Sequence, residues 1–74
     1  MGIVNIPKLK GKLTELNMNV SELGDKMGYD KSAIYRRLKD GGSAMSIADA
    51  NQIIRILGLS REEAVAIFFS QLVS

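Results

Sequence analysis

The residues best suited to chemistry in this chain cluster between positions 26 and 39, where five basic side chains, Lys26, Lys31, Arg36, Arg37 and Lys39, face one acid, Asp30. Lys31, Ser32, Tyr35 and Arg36 fall on one face at helical spacing, and Lys39 lies one turn beyond. Lysine and arginine pair with guanine edges or with phosphate. Serine and tyrosine hydrogen-bond to either, and a tyrosine ring can meet a thymine methyl. The same side chains would also suit a merely solvated surface. The charge distribution adds to the first reading. Residues 1–39 carry eight Lys/Arg against four Asp/Glu, and residues 40–74 carry two against four, so a net charge of +2 conceals one basic half.

Other chemistries find little to use. The chain has no histidine and no cysteine, which removes the usual acid–base groups, the thiol nucleophile and the usual zinc ligands. The stretch GDKMG lacks the form of a phosphate-binding loop, and Glu62 and Glu63 are explained by a helix start. We therefore expect no enzyme, no metal, no cofactor and no small-molecule ligand. The longest wholly apolar run, Ala64 to Phe69, is far too short to span a bilayer, and the first residues lack a signal-peptide core. The expectation is a protein of the cytoplasm, with no membrane partner. At 74 residues it forms a single domain over 1–74, whose core supplies only roughly 3–5 kcal/mol unaided.

The elements that would position the basic cluster read as five helices. Apolar spacings are three and four throughout, and nothing alternates like a strand. The first helix runs from about Pro7 to Leu16, with Leu9, Leu13 and Leu16 as its stripe. The second is capped by Asn19 with Glu22 three residues on, turns Leu23 and Met27 inward, and ends at Gly28. The third starts at Asp30 and anchors through Ile34 and Leu38, and Lys39-Asp40-Gly41-Gly42 closes it. The fourth starts at Ser46, with a stripe of Ile47, Ala50, Ile54 and Leu57, and stops at Gly58. The fifth opens on the capping box Ser60–Glu63 and carries Ala64, Phe68 and Leu72. Met18, Met27 and Met45 are read as core filler or turn contacts.

Helices two and three are short and joined by a tight turn, so they must cross steeply. Close crossing needs a small residue, which is Gly24, and the turn needs a left-handed position, which is Gly28. Tyr29 can tuck beneath the turn. In these positions (Leu23-Gly24, Gly28, Tyr29-Asp30, the KSAI of Lys31 to Ile34, and the basic end Arg36 to Lys39) the segment resembles the helix-turn-helix of phage Cro and repressor proteins. The closing stretch MSIADANQIIRILGLSREEAVAIFF resembles the last two helices of small Cro-like proteins from phages of Gram-positive bacteria, and the likeness spans about residues 7–70. The family usually has alanine where this chain has Gly24, and often glutamine where it has Val20.

The resemblance implies an all-α, five-helix lambda-repressor-like DNA-binding domain, with its motif over about 20–39 and closing helices over about 46–72. It also implies a repressor that binds double-stranded operator DNA in a bacterial host. Lys31, Ser32, Tyr35 and Arg36 would read bases, and Lys26, Arg37 and Lys39 would bind phosphate. A homodimer is expected, because Ile56, Phe69 and Val73 lie away from the core stripes of helices four and five, where a neighbour could cover them. The rival reading is an antirepressor on the same fold that binds a repressor protein instead of DNA. An antitoxin-like regulator would need a toxin-binding extension that this chain lacks.

Overall fold

A computed structural model describes residues 4–69 of the chain, and among these residues all regular structure is helical. The elements are α1 (Ile6–Glu15), α2 (Val20–Met27), α3 (Lys31–Leu38), α4 (Ile47–Leu57) and α5 (Arg61–Phe68), with a turn over Lys39–Gly42 between α3 and α4. None of these helices is long and apolar enough to cross a membrane. Leu9, Leu13, Leu23, Ile34, Met45, Ile53 and Ile67 are fully buried and define one core.

The helix limits follow local chemistry. Asn5 caps α1 by accepting from the Lys8 amide at 3.1 Å, so the helix starts at Ile6, one residue before Pro7. Capping boxes close the starts of α2 (Asn19, Glu22), α4 (Ser46, Asp49) and α5 (Ser60, Glu63), and the Asp30 carboxylate accepts from the Ala33 amide at the start of α3. Gly28 ends α2 at φ +83°, and the Tyr29 amide reaches back to the Gly24 carbonyl at 2.8 Å. Gly58 ends α4 in the same way, with Leu59 bonded to the Ile54 carbonyl.

Two expected stripes are corrected. Leu16 is 41% exposed, because α1 stops at Glu15 and the chain turns through a left-handed Asn17. On α4 the buried residues are Asp49, Ala50, Ile53 and Leu57, while Ile54 is half-buried and Ile47 is 61% exposed. At 100° per residue Ile47 lies roughly 100° from the centre of that arc. Periodicity alone leaves this rotation open; packing against α2 and an inward aspartate decide it.

The dimer expectation meets a related finding. Ile56 and Phe69 are half-buried and packed against the core, with the Phe69 ring 6.5 Å from that of Phe68, so neither is a fully exposed surplus. Val73 and Leu72 lie outside the described residues.

The segment before α1 is structural, although nothing in its local pattern marks it so. Val4 is 2% exposed, its amide donates to the Gly41 carbonyl at 2.7 Å, and the Asn5 amide donates to the Ile67 carbonyl at 2.8 Å. The segment thus ties the turn after α3 to α5. Gly42 makes room for it: a Cβ there would stand 2.7 Å from Val4 Cγ2.

Gly24 is the tightest point between α2 and α3. A Cβ at this position would meet Ile34 Cγ2 at 2.7 Å and Ile34 Cβ at 2.9 Å. Ile34 is fully buried and stiff at χ1, so it cannot swing aside. Gly24→Ala is therefore expected to destabilise the domain by up to about 2 kcal/mol, because overpacking of about 1–3 kcal/mol outweighs the helix-propensity gain of about 1 kcal/mol. Urea unfolding checks this. A midpoint equal to or above wild type would show that Ile34 yields, and that the alanine usual in the resembled family fits here too.

Candidate nucleic-acid interface

α3 is held from behind. Ile34 is fully buried and Leu38 is 6% exposed, one turn apart on its inner side, and Gly24 lets the helix lie close on α2. The opposite side is left to solvent. Lys31, Ser32, Tyr35 and Arg36 are all exposed, Tyr35 by 48%, and no hydrogen bond or ion pair holds their side chains among the described residues. The structure thus brings the four expected base-reading residues onto one open face. Lys26, in the last turn of α2, and Lys39, at the end of α3, are exposed as well. Val20 is 8% exposed and belongs to the core, so the first residue of α2 presents no polar group.

Arg37, expected to bind phosphate, is engaged inside the protein instead. Its Nη1 pairs with Asp49 Oδ2 at 2.9 Å and donates to the Ala44 carbonyl at 3.2 Å. The guanidinium also lies over the Tyr29 ring, 4.5 Å from its centroid. Its Nε is buried without a hydrogen-bond partner among the described residues. The Tyr29 hydroxyl donates to Asp49 Oδ1, and the Ser46 amide donates to Asp49 Oδ2 at 2.9 Å. Sequence reasoning treats Asp49 only as the third residue of a capping box. Its second role depends on Tyr29 and Arg37, 20 and 12 residues away, and no local signal announces that.

The electrostatics of this cluster are mutual. Burial pushes the Asp49 carboxyl up, but the Ser46 amide, the Tyr29 hydroxyl, the Ser46 hydroxyl and the Arg37 charge together hold it below the ordinary carboxylate range. The Tyr29 hydroxyl is raised, first by donating to that carboxylate and then by burial.

A second pair pins α1 to α5. Lys12 Nζ lies 2.7 Å from Glu63 Oε2 and 3.4 Å from Glu15 Oε1. The hydrogen bond from Lys12, followed by that from the Ser60 amide, lowers Glu63 from 4.5 to about 2, and the same bond raises Lys12.

Acid sensitivity follows from these shifts. A carboxyl whose folded value is depressed contributes stability that is complete above its unfolded value and is lost as pH falls towards the folded one. For Glu63 that window runs from pH 4.5 down to about 2, and Asp49 adds to the loss in the same direction. Urea midpoints are expected to decline as pH drops through this window, and Glu63→Gln is expected to flatten the decline. A Glu63→Gln protein with an unchanged acid slope would show that the pair adds nothing.

Comparison with known proteins finds no family model, no curated protein and no solved structure that matches this chain.

Proposed function

We propose that this chain is a sequence-specific DNA-binding transcriptional regulator, a Cro-like phage repressor that inserts α3 into the major groove of operator DNA in the cytoplasm of a bacterial host. One observation carries the reading: the open face of α3 presents Lys31, Ser32, Tyr35 and Arg36 with no internal partner among the described residues, on a helix whose other face is locked to the core. Side chains of this kind, solvated and aimed outward, match the donors and acceptors of base edges. An α-helix with its side chains is about 10–12 Å across, close to the width of the groove it would enter.

Lys26 and Lys39 flank that face and bind phosphate in this reading; Arg37 does not, since the fold already uses it. A homodimer doubles the few base pairs that one helix reads, with half-sites about 34 Å apart. Ile56 and Phe69, half-buried at the edges of α4 and α5, form its contact; Val73, also expected there, lies outside the described residues.

The test is a gel shift with DNA from beside the protein's own gene, at about 150 mM salt and with competitor DNA. Binding that survives competitor is expected, with two protomers per operator by sedimentation. Affinity is expected to fall with salt, each phosphate contact adding about 0.9 to the log–log slope. Salt-independent binding, or binding that competitor removes entirely, would overturn the reading.

A further inference from the structure

The Arg37 cluster lies behind the open face of α3, not on it. Three references hold the guanidinium, and each belongs to a different segment: Asp49 on α4, the Ala44 carbonyl in the approach to α4, and the Tyr29 ring in the turn before α3. The Tyr29 hydroxyl returns to the same carboxylate, and the Ser46 amide fixes that carboxylate to the start of α4. Both ends of α3, the entering turn at Tyr29 and the second half at Arg37, are thus tied to one buried side chain, Asp49, at 3% exposure. The apolar anchors of α3, Ile34 and Leu38, are one turn apart and lie along a single line. A short helix fastened only along a line can roll about it. A tie on its flank removes that freedom.

We infer that Arg37, acting through Asp49 and Tyr29, is a positioning residue that sets the roll and tilt of α3 against α4, and with them the aim of Lys31, Ser32, Tyr35 and Arg36. The inference rests on the DNA-binding reading of α3 for its consequence, though not for its geometry. Arginine suits the place because one guanidinium nitrogen, Nη1, donates to both acceptors while the planar group stacks on the Tyr29 ring. A lysine ammonium restores the charge without the planar face.

Arg37→Met and Arg37→Lys, compared with wild type under conditions where all are folded, test it. Both are expected to lose about tenfold in preference for operator over random DNA, the equivalent of one misaimed base contact. The log–log salt slope is expected to stay at the wild-type value. A phosphate contact would behave in the opposite way: the slope falls by about 0.9, both DNAs weaken alike and lysine restores binding. That outcome overturns the inference. Should the arginine variants fail to fold, Tyr29→Phe removes only the hydroxyl and is expected to lower the preference by a smaller factor; wild-type preference there also overturns it.

Residual dipolar couplings of the free protein provide a readout without DNA. A changed α3–α4 orientation in Arg37→Lys supports the positioning role even if wild type binds no DNA, in which case the DNA reading alone falls. Unchanged couplings overturn the inference whatever the DNA result.

Discussion

Replacing Arg36 by alanine is expected to weaken operator binding by about 1–3 kcal/mol, roughly 5- to 150-fold, and to weaken binding to random DNA far less. Arg36 stands on the open face of α3, between Ser32 and Lys39 along the helix, with no internal hydrogen bond or ion pair to lose among the described residues. Its removal therefore leaves the fold intact, and the cost belongs to the contact with DNA. An arginine fork matches two acceptors on guanine, so the loss concentrates on the position it reads. Competition gel shifts with single-base operator variants check this. Equal loss on operator and random DNA would make Arg36 a phosphate contact and move base reading to Lys31, Ser32 and Tyr35.

Asp49→Ala is expected to destabilise the fold by about 3 kcal/mol. The carboxylate accepts from the Arg37 guanidinium, the Tyr29 hydroxyl and the Ser46 amide. Alanine leaves all three donors without that acceptor and removes the α4 capping box. The figure sits at the low end for breaking a buried ion pair because the Arg37 side chain keeps 28% exposure and can be partly rehydrated. A domain of this size melts about 4–8 °C lower per kcal/mol, so the midpoint should drop by more than about 12 °C. Since the whole core supplies only roughly 3–5 kcal/mol, part of the population would be unfolded at ordinary temperatures. Thermal melts followed by circular dichroism measure the shift. The double variant Arg37→Met/Asp49→Ala should cost less than the sum of its parts, because the two residues share one interaction. A midpoint within a few degrees of wild type would show that the cluster does not stabilise the fold.

The two expectations differ in how far the sequence supports them. Arg36 and its neighbours are legible as a face because helical spacing places Lys31, Ser32, Tyr35 and Arg36 together, and Ile34 and Leu38 show which side is turned away. The helix starts at Asn19, Asp30, Ser46 and Ser60 are legible for the same reason, since each cap joins groups three residues apart. Gly28 and Gly58 mark helix ends through their own backbone freedom. What depends on interactions within one or two turns is thus written in the chain by itself.

Tertiary structure decided the rest, because those contacts join residues that local rules never compare. Arg37 reads as one more basic residue until Asp49, 12 positions on, and the ring of Tyr29 take hold of it. Ile47 and Ile53 are equally apolar, and only the packing of α4 against α2 leaves one in water and buries the other. Gly24 reads as a small residue at a crossing, but how little room exists there depends on the branch of Ile34 facing it. Val4 belongs to the core only because Gly41 offers its carbonyl and Gly42 its bare Cα to a strap coming from the other end of the motif. Hydrogen bonds and apolar spacing set each helix locally, whereas burial and charge pairing are settled only by what another segment brings within reach.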